Sequence, residues 1–477
     1  MNARQVAQQT RRYFLQQCSL NLAGMFLAQL QASETLNPLA PKPPHFAPKA
    51  KAVIYFHMAG APSQLELFDY KPQLVKHDGK PCPDELLKGK RFAFIQGVPV
   101  MLGTPFQFAP RGQSGQYMSD LLPNLATVAD ELTVIRSMST DQFNHAPAQL
   151  LAHTGSPRFG GASMGAWVTY GLGSENQDLP GYVVLVGGGN NPDGGKSLWG
   201  SGFLPSVYQG VQCRTQGDPV LYLSDPEGMS RSLRRKTLDA IRDLNELQQR
   251  ETREPETSTR IAQYELAYRM QISVPEVMDI SREPAYIHKM YGTEPGRVSF
   301  ANNCLLARRL VEKGVRFIQI FQWGWDHHGT NRRGDIRYDL PVQARLTDQP
   351  IAALIRDLKQ RGLLDQTLII WGGEFGRTPM RENRGGKYGA FVGRDHHPYA
   401  FTMWLAGGGV KRGLSYGSTD DIGYYPAENK VTVRDLQATI LHLLGLDPYK
   451  LSYPFQGLNQ RLIGPTNEAR VIHDIIA

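Results

Sequence analysis

The last third of the chain alternates strand-like and helix-like stretches, and this alternation limits the possible folds more than any other feature. "VRFIQIFQWGWD" (315–326), "TLIIWGGEFG" (367–376) and "AFTMWLAGGG" (400–409) are β-branched and aromatic runs. "DQPIAALIRDLKQRGLLDQ" (348–366) and "TVRDLQATILHLLGLD" (432–447) have helical apolar spacing. This strand–helix alternation is the α/β layer pattern. Upstream, "AVIYFHMAG" (52–60) and "LPGYVVLVGGG" (179–189) read as two more buried strands, and "LLPNLATVADELTVIRSM" (121–138) as a helix feeding a strand. Between 230 and 313 the texture is helical, ending in "FANNCLLARRLVEKG" (300–314).

The N-terminus reads differently. "TRRYFLQQ" (10–17) places Arg11 and Arg12 ahead of a moderately apolar run, "CSLNLAGMFLAQLQA" (18–32), which is too short and too polar to span a bilayer comfortably. This resembles a twin-arginine export signal, a receptor-read address; the alternative is an ordinary amphipathic helix. Residues 35–50 are Pro-rich and read as an extended linker. The formal net charge is +8 with no dense Lys/Arg run, which argues against a nucleic-acid footprint. Removal of a signal would take Cys18 with it. Cys82, Cys213 and Cys304 then remain, at spacings that make no zinc ribbon and allow at most one disulfide.

In open α/β sheets ligands bind at the carboxyl ends of strands. Three such ends carry reactive residues: Ser63 and Asp69 after the 52–60 strand, "DHHGTN" after the 315–325 strand, and Glu374 after the 367–373 strand. A fourth cluster, "GRDHHPYAF" (393–401), precedes its strand. It joins the others only if that strand runs antiparallel or its loop arches over the sheet. Asp326 and His328 alternate with His327, so in extended geometry they share one side. With His396 they would make a two-His, one-carboxylate set for Zn²⁺, Mn²⁺ or a related ion. The bland reading is a hydrogen-bonded Asp–His pair packing a loop against Trp323 and Trp325.

Two motifs nearly appear. "GNNPDGGKS" (189–197) ends like a phosphate loop, but Pro192 interrupts it. "GASMG" (161–165) fits G-x-S-x-G around Ser163, but "HTGSPRFG" before it is no strand, so a serine esterase is only a minor alternative.

The order of these pieces resembles the alkaline phosphatase-like superfamily, the sulfatases in particular. "LPNLATVADE" is similar to the sulfatase "TPNLDRLA" helix, and "HAPAQLLAHTG" to the "C-x-P-S-R-x-x-x-x-T-G" segment whose cysteine matures to formylglycine. "LIIWGGEFG" is similar to "vvftSDHG". More closely, "MAGAPSQLELFDYKP", "GVRFIQIFQWGWDHH", "LIIWGGEFGRTP" and "GRDHHPYAFTMWLAGGGVKRG" resemble a twin-arginine-exported bacterial family catalogued as domain of unknown function 1501. The resemblance implies an α/β fold of the alkaline phosphatase/sulfatase-like kind, a three-layer sandwich with a mostly parallel central sheet and helices on both faces, over 51–477 with a helical insertion at about 225–313, behind a signal region (1–34) and the linker. It implies no established reaction.

The departures from the sulfatase pattern set the functional expectations. His145 stands at the modified cysteine and Gln149 at the maturation arginine, which excludes a formylglycine sulfatase. Glu374 and Phe375 replace the aspartate and histidine of the second-metal motif. The expected function is an exported, metal-dependent hydrolase of phosphate or sulfate esters, periplasmic or extracellular. Its ion would be Zn, Mn or Ca and its substrate an anionic small-molecule or polysaccharide ester. Its partner in export would be the twin-arginine machinery, with no nucleic acid and no stable membrane span after cleavage. Asp326, His328 and His396 would bind metal, with Glu374 and Asp395 as a further ligand or as orienting groups. Ser63 or His145 would face the substrate, and Arg377 would neutralise its anionic oxygens. His145 itself has three open readings: covalent nucleophile, metal ligand or acid–base group, or a helix-start histidine without chemistry. The rival function is an inactive binding or scaffold protein that keeps the fold.

Overall fold

A computed structural model describes residues 37–187, 190–214, 219–220, 228–252 and 255–477. The export-signal reading, with Arg11, Arg12 and Cys18, lies outside the described residues. Nine strands form one sheet: β1 (Ala52–Ala59), β2 (Leu132–Ser139), β3 (Tyr182–Gly187), β4 (Val211–Cys213), β5 (Phe317–Trp323), β6 (Thr367–Gly372), β7 (Phe401–Ala406), β8 (Leu414–Tyr416) and β9 (Val431–Thr432). Their order is β8-β2-β7-β6-β1-β5-β3-β4, with β9 alongside β2. β1 pairs in parallel with both β5 and β6, and β3 continues the parallel set beyond β5. Among the described strands of this sheet β7 alone runs antiparallel, to β6 and to β2.

The direction of β7 decides where the site can form. Reversing one strand puts its preceding loop at the carboxyl ends of its neighbours. Residues 393–400 thereby reach the edge where β1, β5 and β6 end, which was one of the two conditions read from the sequence.

The helices that matter are α1 (His145–Thr154), α2 (Met164–Leu172), α3 (Arg231–Thr252), α4 (Pro255–Met278), α5 (Phe300–Glu312), α6 (Leu340–Gln360) and α7 (Val433–Leu443). Every residue of β1 is buried. Because strand side chains alternate, Ile54, Phe56 and Met58 join a core with α5 and α6, while Val53 and Tyr55 join a second core with α1, α2 and α7. His57 lies on that second face, its ring 4.6 Å from that of His153 on α1. α7 starts at a capping box, in which Thr432 and Asp435 satisfy each other's backbone N–H groups. α6 begins eight residues before the helix expected from Asp348, because Pro341 fits its first turn and Pro350 is tolerated inside it.

Of residues 35–50, read as a linker, the described stretch 37–50 runs along the body. Lys42 N–H donates to the Leu172 carbonyl, and Lys49 and Ala50 N–H to that of Leu443. α3 and α4 pack together as a helical pair, whereas α5 is a layer helix with Cys304, Leu305 and Ala307 fully buried. Cys82, Cys213 and Cys304 are free thiols. Among the described residues no helix is long and apolar enough to cross a membrane.

Candidate metal centre

Four segments deliver side chains to one place at the carboxyl edge of the sheet. β5 ends at Trp323, and three residues later come Asp326, His327 and His328, whose side chains alternate. Asp326 Oδ1 lies 2.8 Å from His328 Nε2, while His327 turns away to Asp339 (3.2 Å). Gly60 closes β1 against this turn. Its φ is +106°, and a Cβ there would lie 2.6 Å from the Asp326 nitrogen, so only glycine permits the approach. After β6, Gly376 and Arg377 pair antiparallel with His397 and His396, which sets the Arg377 and His396 backbones side by side. His145 is the first residue of α1, reached from β2 through the 140–144 loop.

His145, Asp326, His328 and His396 offer donor atoms that all lie within 4.8 Å of one another. His328 Nε2 is 3.0 Å from His396 Nε2, His145 Nε2 is 3.3 Å from Asp326 Oδ1, and His396 Nε2 is 3.7 Å from the same oxygen. Donors around a four-coordinate zinc ion, at about 2.0–2.2 Å from it, sit about 3.3–3.6 Å apart. The observed spacings bracket that range.

The other ring nitrogens make the stronger case. His145 Nδ1 lies 2.6 Å from Glu374 Oε1, His396 Nδ1 lies 2.7 Å from the Phe143 carbonyl, and His328 Nδ1 contacts Glu382 Oε2. A carboxylate or carbonyl only accepts, so each Nδ1 carries the proton and donates it. In its neutral form each ring then has its lone pair on Nε2, and all three Nε2 atoms point at the same spot. A metal-binding histidine is oriented in just this way, its far N–H held by an acceptor. Buried lone pairs facing each other at 3.0 Å repel, and a cation between them removes that repulsion. His145 Nε2 is a buried nitrogen with no hydrogen-bond partner, again as expected of a donor atom reserved for an ion.

Glu374 is wholly buried. Its Oε1 accepts from His145, from Gly60 N–H (3.1 Å) and from Gln149 Nε2 (3.1 Å), and its Oε2 faces His57 Nε2 at 3.3 Å. Burial alone would raise its pKa, but His145 and His57 hold it well below the usual carboxylate range. Burial would likewise raise Asp326, yet Arg377 and the three imidazoles hold it far below that range. Burial pushes His396 down to about 4, so it is neutral at pH 7. His145 is lowered by burial but raised more by Asp326 and Glu374, to about 9, so in the metal-free chain a proton sits where an ion would.

The remaining expected site residues are placed as follows. Arg377 is buried, with Nε donating to the Ala61 carbonyl, one Nη1 N–H to the Arg394 carbonyl and Nη2 to the Gly60 carbonyl and Asp326. Its remaining Nη1 N–H lies toward His328 Nε2, at 3.3 Å, inside the centre, so its charge acts chiefly on Asp326. Ser63 stays outside the cluster; its hydroxyl donates to Glu66, which pairs with the buried Arg394. Asp395 accepts from the N–H groups of Phe94, Ile95 and His396, so it braces the loop beside the centre. Ser163 is fully buried, follows turns and bends instead of a strand, and among the described residues hydrogen-bonds no histidine. The esterase alternative therefore lacks its elbow.

Sequence reasoning missed Glu382, His57 and the Phe143 carbonyl. A histidine inside an otherwise apolar strand was a usable signal for His57. The S-x-x-E spacing of Ser63 and Glu66 was a usable sign of a local bond. Glu382 and the carbonyl carry no such sign.

A family model described as "Protein of unknown function (DUF1501)" matches residues 50–476. No curated protein matches the chain. Solved structures that align include the PsFucS1 sulfatase from Pseudoalteromonas sp., at 13% identity and TM-score 0.36, over 93% of this chain and 75% of that one. The lipoteichoic acid synthase LtaP from Listeria monocytogenes aligns at 10% identity and TM-score 0.35, over 91% and 80%. A protein in the alkaline phosphatase superfamily from Vibrio parahaemolyticus aligns at 13% identity and TM-score 0.32, over 88% and 74%.

Proposed function

The chain belongs to the DUF1501 family of proteins of unknown function, and from that premise we propose that it is an exported, metal-dependent hydrolase of phosphate or sulfate esters that does not use formylglycine. The observation that carries the reading is the convergence of three imidazole Nε2 atoms and one carboxylate, with every far ring nitrogen already hydrogen-bonded. His145, His328, His396 and Asp326 would hold the ion, and the N₃O donor set suits Zn²⁺ best. A divalent ion held there supplies Lewis-acid charge to an ester oxygen and lowers the pKa of water.

The chain's own residues do the rest. Glu374 and Glu382 fix the tautomers of His145 and His328, and Arg377 keeps Asp326 ionised. The side chains of Asp326 and His145 are 30% and 15% exposed, so the centre opens to solvent on their side. α1 starts there, and its N-cap Asn144 makes no side-chain capping bond. Pro147 has no N–H and Ala148 N–H is used within the helix, so the His145 and Ala146 N–H groups, with the helix dipole, favour an anion beside His145. As a ligand, His145 has no free nitrogen for a covalent step, so water is the attacking nucleophile in this reading.

One observation favours the rival. Four protein ligands close a zinc site, as in structural centres, and neither Ser63 nor Arg377 is free for chemistry. A non-catalytic metal-binding protein would look the same from within. Metal analysis of the purified protein, followed by a panel of phosphate and sulfate esters with and without chelator, separates the two. Bound metal with chelator-sensitive turnover supports the hydrolase, and bound metal without turnover on any ester supports the scaffold.

A further inference from the structure

α3 packs on α4 through one face and leaves an apolar stripe on the other. Leu238 is buried, and Arg235 on the same side pairs with Glu265 and covers the Tyr268 ring. At 3.6 residues per turn, Leu233, Ala240, Leu244 and Leu247 fall within about 60° of arc, directly opposite Leu238. The three leucines are 50%, 66% and 58% exposed. Four apolar side chains in line over about 20 Å of helix form a seam for another helix.

The spacing of the stripe identifies the occupant. Ala240 lies at its middle, with Leu233 and Leu247 seven residues to either side. An antiparallel pairing about a two-fold axis at Ala240 sets Leu233 against Leu247 of the second copy, twice, and small side chains at the crossing let the helices approach closely. The charges agree. Lys236 and Asp243, both exposed, flank the stripe on one side and are placed symmetrically about residues 239 and 240. In antiparallel pairing, like flanks face each other, so Lys236 meets Asp243 of the second copy at both ends. Parallel pairing would set this flank against Thr237 and Gln248, which carry no charge. A self-complementary patch of this kind is what a two-fold interface requires.

We infer that α3 is a self-association surface, and that two copies of this chain pair antiparallel along Leu233, Ala240, Leu244 and Leu247. The inference is independent of the metal centre.

Analytical ultracentrifugation of the full chain, with far-UV circular dichroism as a folding check, reads the association directly. A monomer–dimer equilibrium is expected, weakened about ten-fold or more by Leu244→Glu. Lys236→Glu should weaken it several-fold, and adding Asp243→Lys should restore it. Cys82, Cys213 and Cys304 are buried, so a Cys18→Ser background leaves few thiols to interfere. In that background Ala240→Cys should form a disulfide-linked dimer under mild oxidation. Ser232→Cys should not, since the axis holds its two copies about 24 Å apart along the helices. A protein that sediments as a monomer at hundreds of micromolar and does not cross-link through Ala240→Cys overturns the inference. Equal cross-linking through Ser232→Cys does so too.

Discussion

His328 and His396, 68 residues apart in the chain, face each other through their Nε2 atoms at 3.0 Å. Each ring has its Nδ1 proton committed elsewhere, to Glu382 and to the Phe143 carbonyl. Two buried imidazoles gain nothing from this contact by themselves. The arrangement is stable when something positive lies between them, and Asp326, in contact with both rings, adds the charge that an ion would need.

Glu374 and Glu382 matter to metal affinity through the rings they hold. Glu374→Gln and Glu382→Gln should each weaken divalent-ion binding about 10- to 100-fold, the usual cost of losing a partner behind a ligand. Competition with a chromophoric chelator measures this. Unchanged affinity in both variants would show that the two carboxylates do not orient His145 and His328.

Arg377 should be needed for folding more than for substrate binding. Its guanidinium satisfies the carbonyls of Gly60, Ala61 and Arg394 as well as Asp326. Arg377→Met leaves all four groups without that donor and should cost about 3–5 kcal/mol by urea denaturation. Arg377→Lys should recover little, because one ammonium cannot reach the same fork of acceptors. A stable Arg377→Met protein with a raised KM alone would return Arg377 to the role expected from the sequence.

His153 predicts an acid-sensitive fold. Burial lowers its pKa well below 6.5, helped by the neighbouring His57. The folded chain keeps this ring neutral while the unfolded chain protonates it below about pH 6.5. Stability from this group is therefore complete above pH 6.5 and is lost as pH falls, with a slope of up to about 1.4 kcal/mol per pH unit. His153→Gln should flatten the decline by about one proton between pH 6.5 and 5. An identical slope in the variant, measured by denaturant titration at each pH, would contradict the assignment.

The fold was legible because strands buried on both faces are nearly continuous apolar runs, as in Thr367–Gly372 and, His57 apart, Ala52–Ala59. Asp326, His328 and His396 were legible because ligating residue types cluster beside strand ends. The antiparallel direction of β7 was not, since a short apolar strand carries no mark of its direction. Glu382 lies in an irregular loop without periodicity, and a carbonyl such as that of Phe143 has no signature at all. Arg377 and Ser63 were read by residue type, and only contacts reveal that carbonyls and Glu66 have already claimed them.

The proposed export rests on Arg11 and Arg12, outside the described residues, and it is tested apart from the site. A reporter fused after residue 50 should leave the cytoplasm, and Arg11→Lys combined with Arg12→Lys should stop it. Unchanged export of the double variant would remove the twin-arginine reading.

The central claim is that four side chains hold a divalent ion, and elemental analysis of the purified protein tests it most directly. Mass spectrometry of the metal content, before and after reconstitution with Zn²⁺ or Mn²⁺, should find about one ion per chain. Asp326→Ala and His396→Ala should each lower bound metal about 10-fold or more, since losing a ligand costs at least as much as losing the group that orients one. A protein that carries no divalent ion under any loading condition, or alanine variants that bind as much as the parent, would contradict the account.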